Sequence, residues 1–148
     1  MSKGEAPSFA ITHKVRDACL CLHVQRAARA LARRFDEAFR PLGLTNGQFS
    51  LMMSLNRPGP ARIAEVAALL AMDRTTLTAG LKPLLRRKLL TVAVDSADKR
   101  SRQLTLTAAG RKLLRAAAPI WRREHGLVER LIVNADADRL RGDLRALS

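Results

Sequence analysis

The stretch 61–107 constrains the fold of this chain more than any other part of it. It reads ARIAEVAALLAMDRTTLTAGLKPLLRRKLL, then TVAVD, then SADKRSRQ, then LTLT. Apolar residues first recur at helical spacing on either side of Asp73, a residue suited to capping a helix start. Ile63, Val66, Ala67 and Leu70 supply the inward face of a helix over 61–70, and Leu77, Leu81, Leu84 and Leu85 that of a helix over 74–88. Met72 and Leu77 are spaced as a hydrophobic staple across the cap. Two alternating segments follow, Leu90-Val92-Val94 and Leu104-Leu106, each the pattern of a half-buried strand. The loop between them, 95–102, carries Lys99, Arg100 and Arg102. Two short helices about a turn, then a hairpin with a basic tip, make the layout of a winged helix-turn-helix.

The flanks read as helix. Over 11–42, Leu20, Val24, Ala27, Leu31, Phe35, Ala38 and Leu42 recur at three- and four-residue steps, and Pro41 and Gly43 end the run. Thr45 and Gln48 have the spacing of a capping box, with Leu44 and Phe49 as its staple, and predict a second helix to about Asn56. Arg57-Pro58-Gly59-Pro60 then breaks the chain. Pro83 predicts a kink in the helix over 74–88, with Gly80 as the place to bend. Thr107 caps a helix over 108–133, with bends at Pro119 and Gly126. Asn134 caps a last one, whose Ala137, Leu140, Leu144 and Leu147 form a stripe. The expected fold class is mainly α with a small β-hairpin wing.

A chain of 148 residues has the length of one domain and can bury a core without metal or disulfide. Lys and Arg number 27 against 13 Asp and Glu, a net charge of +14. Such a field draws polyanions, nucleic acid first among them, although a solvated basic surface would give the same count. Cys19 and Cys21 are the only cysteines, two residues apart, which is no disulfide framework and fits a reducing, cytoplasmic setting. No apolar run approaches a membrane span, and the N-terminal residues carry no signal-peptide core; 2–8 read as a short flexible arm. There is no Gly-rich phosphate loop, metal motif, catalytic triad or C-x-x-C, so neither an enzyme nor a cofactor is expected.

The order of these elements, with Asp98-Lys99-Arg100 in the wing and Leu104-Thr105-Leu106-Thr107-Ala108-Ala109-Gly110 after it, resembles the MarR family of bacterial regulators. The resemblance runs from about Ala18 to Leu147 and departs at Leu89, where the family usually has Gly, and at Ala97, where many relatives have Arg. It implies one regulator domain, with 45–107 as the DNA-binding winged helix-turn-helix and 11–42 and 108–148 as dimerisation helices. It further implies an obligate homodimer on a pseudo-palindromic operator, usually repressing, and released by a small aromatic or anionic effector or by cysteine oxidation.

In that frame the helix over 74–88 is the recognition helix. Arg74, Thr75, Thr76 and Thr78 stand in its first two turns, where threonine hydroxyls suit phosphates or base edges and the methyl suits thymine. Lys82 would reach the backbone, and Lys99, Arg100 and Arg102 suit a narrow minor groove. Asp98 is expected to orient Arg100. Arg86, Arg87 and Lys88 read equally as phosphate contacts or plain surface. The resemblance places an effector pocket where the first, second and fifth predicted helices meet. Phe49, Met52, Met53 and Trp121 would line it, although such residues at helical spacing are more often plain core.

By spacing to Thr45, Cys21 corresponds to the reactive cysteine of the family's organic-hydroperoxide-sensing branch. The tyrosines that hydrogen-bond that thiol are absent, and Phe35 and Asn46 stand near their places. The other reading of Cys21 is a small buried apolar residue; two apart on a helix, the two cysteines point about 200° apart, so one is expected to face the core or dimer seam and the other not. Asp17, one turn before Cys21, would raise its pKa if close. Cys19 and His23 share a helix face but are too few for a zinc site. His13 and His125 read as surface. Three functions remain: a homodimeric repressor released by an effector, a thiol-sensing regulator using Cys21, and a nucleoid-type binder without sequence preference.

Overall fold

In a computed structural model, residues 6–148 are described; residues 2–5 of the predicted arm lie outside them. The order is α1 (Phe9–Ala18), α2 (Leu20–Phe39), a 3-10 turn (Arg40–Leu42), α3 (Asn46–Ser54), β1 (Ala61–Arg62), α4 (Ile63–Leu69), α5 (Arg74–Arg86), β2 (Leu90–Val94), β3 (Arg102–Leu106), α6 (Ala108–Glu129) and α7 (Ala137–Ala146). Contacts divide the chain into two compact units, one up to Arg34 and one over Phe35–Ser148.

The first unit corrects the single helix expected over 11–42. Cys19 leaves the helical conformation (φ −72°, ψ 108°) and ends α1. Its thiol then accepts the Leu22 N–H at 3.5 Å, and its carbonyl accepts the His23 N–H at 3.1 Å. Cys19 thus begins α2 much as a polar capping residue would. The apolar period continues across this break, so periodicity alone could not reveal it. No residue of α1 is buried.

In the second unit the helix starts follow the predicted chemistry. Thr45 Oγ1 accepts the Gln48 N–H, and Gln48 Oε1 accepts the Thr45 N–H, both at 3.1 Å, closing the capping box on α3. Asp73 caps α5 and Thr107 caps α6. The α7 cap is Asp136, which accepts the Asp138 N–H, and not Asn134. Helix α6 ends at Glu129, short of Val133.

Two helix stops use a left-handed residue that is not glycine. Ala71 (φ 50°) follows α4 and Lys88 (φ 54°) follows α5. In each, two reversed hydrogen bonds close the last turn: Met72 N–H to the Ala67 carbonyl and Ala71 N–H to Ala68, then Leu89 N–H to Leu84 and Lys88 N–H to Leu85. The first of these makes the tight turn between α4 and α5.

The sheet has the order β1-β3-β2 and is antiparallel throughout. Ala61 and Arg62, expected as the start of a helix, instead pair with Leu104 and Gln103. Two residues are too few to show alternation. Arg102, expected in the loop, pairs with Val94 at the far end of β3. Strand β2 is not half-buried: Leu90 reaches the core, while Val92 and Val94 are exposed on a sheet edge.

The core joins Phe35, Phe39 and Phe49 to Leu77, Leu81 and Leu84 of α5 and to Leu90, Leu104 and Leu106 of the sheet. Phe39 and Phe49 stack with ring centroids 4.6 Å apart. Leu77 and Leu84 are fully buried, and each stabilises the fold by about 1.5–3 kcal/mol. This anchorage fixes which face of α5 looks outward. Helix α5 runs unbroken through Pro83.

Candidate nucleic-acid interface

The start of α5 is held by Asp73. Its carboxylate accepts the Thr76 N–H at 2.8 Å and the Thr76 hydroxyl at 2.7 Å. These two bonds, the hydroxyl first, hold the Asp73 carboxyl below the usual carboxylate range. The cap is worth about 1 kcal/mol, and it spends the one acidic side chain at this end of the helix. Arg74, Thr75, Thr78, Ala79 and Lys82 then share one outward surface. Their spacing of three and four places them on one face. Thr76 lies on another side of the helix, where it lines a cleft with Leu51, Met72 and Gly80, and its hydroxyl proton is committed to the cap.

The wing is braced from within. Asp95 is 2% exposed. Its carboxylate accepts the Ala97 N–H at 2.9 Å and the Arg62 Nε–H at 3.1 Å. The Ala97 hydrogen bond, with the Arg62 charge behind it, holds the Asp95 carboxyl below its ordinary range. Sequence spacing did not suggest this tie, which spans 33 positions from β1 to the wing. At the tip, Asp98 Oδ1 accepts the Arg100 N–H at 3.0 Å, so Asp98 orders the Arg100 backbone. Arg102 folds back and donates to the carbonyls of Lys99 (3.1 Å) and Ser101 (3.4 Å). Lys99 and Arg100 are left exposed with their charges outward.

The basic run after α5 has a role beyond the two weighed for it. Arg87 donates to the Gly43 carbonyl at 2.6 Å and to Leu42 at 3.3 Å. Gly43 sits at φ 62°. The guanidinium thereby ties the end of α5 to the turn that follows α2.

Among the predicted effector-pocket residues, Phe49, Met53 and Trp121 do line one cleft of about 390 Å³, together with Ser50, Ser54, Leu69 and Leu70. Met52 does not; it is fully buried core. His125 is half-buried and stacks on Trp121 at 4.7 Å, so it is not a lone surface residue.

Cys21 is exposed, against its buried reading, and Cys19 is half-buried. Gln25 Nε2 donates to the Cys21 thiol at 3.1 Å. Asp17 pairs with Arg16, whose hydrogen bond lowers its pKa, and lies across the α1–α2 break from Cys21. His23 Nδ1 engages the Cys19 carbonyl at 2.8 Å. No group of three His, Cys, Asp or Glu side chains converges among the described residues. Among the described residues no helix is long and apolar enough to cross a membrane.

The capped helix pair, the exposed face of α5 and the basic hairpin define a winged helix-turn-helix module. No protein-family model matches the chain. The solved structure of transcriptional regulator MosR of M. tuberculosis, in complex with DNA, is 38% identical, with a TM-score of 0.79 over 87% of this chain and 92% of MosR. A transcriptional repressor, CouR, bound to a 23-mer DNA duplex, is 26% identical, with a TM-score of 0.78 over 90% and 94% of the two chains. Among curated proteins, transcriptional regulator HosA of Escherichia coli O157:H7 is 37% identical over 78 residues, 52% of this chain and 57% of HosA. That match spans little more than half of the curated relative. The chain belongs to the MarR family of transcriptional regulators. Its relatives are regulators rather than enzymes, as its motifs lead one to expect.

Proposed function

We propose that this protein is a sequence-specific, homodimeric transcriptional repressor that reads a pseudo-palindromic operator and is released by a small-molecule effector. The observation that carries the reading is the outward face of α5, where Arg74, Thr75, Thr78 and Lys82 stand together beside a carboxylate already spent on the cap. A helix so presented suits the major groove, with Lys99 and Arg100 of the wing on the flanking minor groove and Arg102 bracing them. Thr76, on another side of the helix and hydrogen-bonded to Asp73, serves this face by fixing the start of α5 rather than by joining it. The net charge of +14 supplies the sequence-independent share of affinity. The DNA complexes of MosR and of the repressor CouR, each aligned with this chain over most of its length, support this reading.

Dimerisation through 11–42 and 108–148 is supported by apolar side chains that the single chain leaves exposed. Phe9, Ile11, Val15, Leu20 and Val24 do so in the first unit, and Leu127, Leu131, Leu144 and Leu147 in the second. Exposed apolar surface on this scale marks an interface. The cleft at Phe49, Met53 and Trp121 is the candidate effector site, a concave apolar pocket with two serine hydroxyls to orient a ligand.

A thiol-sensing version of the same regulator is favoured by one observation, the exposure of Cys21. The test of the main reading is selection from random duplexes. It should return an inverted repeat with half-site centres about one helical turn apart. Recovery of no common sequence would leave a nucleoid-type binder instead.

A further inference from the structure

Asp95 is the one polar or charged residue that is buried among the described residues. Its cationic partner there is Arg62, whose Nε–H it accepts at 3.1 Å and whose side chain is 52% exposed. Burying a carboxylate is costly, and a partner that stays in water offsets little of that cost. A neutral asparagine would accept the Ala97 N–H as well as Asp95 does. What the charge adds is a fixed orientation for the Arg62 guanidinium.

Arg62 ends β1 and stands immediately before α4. Its side chain spans the end of the sheet to Asp95, the first residue after β2 and the root of the wing loop. Only Nε is spent there. Among the described residues neither Nη1 nor Nη2 of Arg62 has a hydrogen-bond partner. Arg102, by contrast, turns Nη1 back on the Lys99 and Ser101 carbonyls. Glu65, in the first turn of α4, accepts the Arg62 backbone N–H at 3.2 Å and pairs with Arg57 at 3.3 Å, so its charge is already matched. A guanidinium held by Nε presents its two Nη groups outward as a planar pair of donors.

We propose that Arg62 is a contact to the backbone of duplex DNA: Asp95 holds the guanidinium by Nε, and Nη1 and Nη2 grip the oxygens of one phosphate beside the root of the wing. This inference rests on the DNA-binding reading above and adds to it a residue that lies on neither the α5 face nor the wing tip. The planar fork matches phosphate oxygens as a lysine's point charge does not. Such a contact carries no sequence information. It fixes where the α4–α5 pair and the wing sit on the duplex, and Asp95 is its positioning residue.

The test is a fluorescence-anisotropy titration of the full chain against the duplex recovered by selection and against a scrambled duplex, each over a series of salt concentrations. Arg62→Gln should weaken binding to both duplexes about tenfold and lower the slope of log affinity against log salt by about one unit or more. Arg62→Lys should keep the slope and recover part of the affinity, since the charge remains and the fork is lost. Asp95→Asn should weaken binding several-fold with the slope intact, because Arg62 keeps its charge and loses its hold. Arg115→Gln, which removes an exposed guanidinium from α6, should change neither affinity nor slope. If Arg62→Gln loses its fold by circular dichroism, Arg62→Met, which keeps the aliphatic stem, carries the same comparison. A methylphosphonate walked along the half-site gives an independent reading: neutralising one phosphate should weaken the parent about tenfold and the Arg62 variant no further. A slope left intact by Arg62→Gln, whatever its affinity, would make Arg62 a brace of the wing alone and overturn the proposal. So would an equal fall in slope in Arg115→Gln, or the lack of any phosphate whose neutralisation spares the Arg62 variant. Equal parental affinity for the two duplexes would instead refute the sequence-specific reading, and the slope comparison would still decide for or against Arg62, since a phosphate contact serves both duplexes.

Discussion

Replacing Gly110 by alanine pits helix propensity against a close approach that only the fold reveals. Gly110 is the third residue of α6, and its N–H donates to the capping Thr107 Oγ1 at 3.0 Å. By propensity alone the substitution should stabilise the helix by about 0.8–1 kcal/mol. A Cβ at this position, however, would lie 2.1 Å from the Leu89 carbonyl oxygen and 3.1 Å from Leu106 Cδ2. Relieving that contact requires a shift of about 1 Å or more. The Leu89 oxygen also accepts the Thr107 N–H at 3.1 Å, while Thr107 Oγ1 donates to the Lys88 carbonyl at 2.8 Å. The shift therefore loosens the junction between α5, the wing and α6. Overpacking costs about 1–3 kcal/mol and the strained hydrogen bond about 1 kcal/mol more, which the helix propensity offsets in part. The net loss is about 1–3 kcal/mol, a fall in Tm of roughly 3–10 °C for a chain of this size. The control is Gly47→Ala in the first turn of α3, where the nearest atom to a Cβ is Thr45 Oγ1 at 4.0 Å. It should gain about 0.4–1 kcal/mol. Both are read by thermal unfolding at one fixed protomer concentration, since the proposed dimer would make Tm concentration-dependent. A Gly110→Ala protein as stable as its parent would refute the close approach.

Arg100→Ala should weaken operator binding and lower the slope of log affinity against log salt by about one unit; an unchanged slope removes Arg100 from the phosphate or minor-groove contacts. Arg87→Ala should also weaken binding, several-fold, but with the slope intact, because Arg87 positions the recognition helix through Gly43 and Leu42; a slope reduced by one would make it a phosphate contact. The Asp95 carboxyl is depressed in the fold, so its contribution to stability is complete above the unfolded carboxylate pKa, about 3.9. That contribution is lost as the pH falls through the lower folded value. Asp95→Asn should therefore flatten the acid limb of stability against pH below about 4, and an identical limb in chemical denaturation would contradict the tie to Ala97 and Arg62.

What the sequence made legible was local chemistry. Thr45 with Gln48, Asp73 and Thr107 reach only three residues along the chain, so spacing alone found their caps. The outward position of Arg74, Thr75, Thr78 and Lys82 followed from the inward leucines of the same helix. The features that escaped join distant positions. Ala61 becomes a strand because Leu104 lies beside it, and Arg62 meets Asp95 because the sheet closes between them. Arg87 finds carbonyls 44 and 45 residues away. The need for glycine at 110 is set by the Leu89 carbonyl across the junction. Val92 and Val94 alternate as a buried strand would, yet they belong to an edge strand of which only Leu90 reaches the core.

Sequence-specific DNA binding is the centre of this account, and a direct titration tests it. The purified protein is titrated against duplex from its own upstream region, or against the duplex recovered by selection, and against a scrambled duplex, all at near-physiological salt. The account predicts one dimer per site and a preference of about 10³-fold or more for the cognate duplex. Equal affinity for the selected and scrambled duplexes, with a steep salt slope for both, would contradict it.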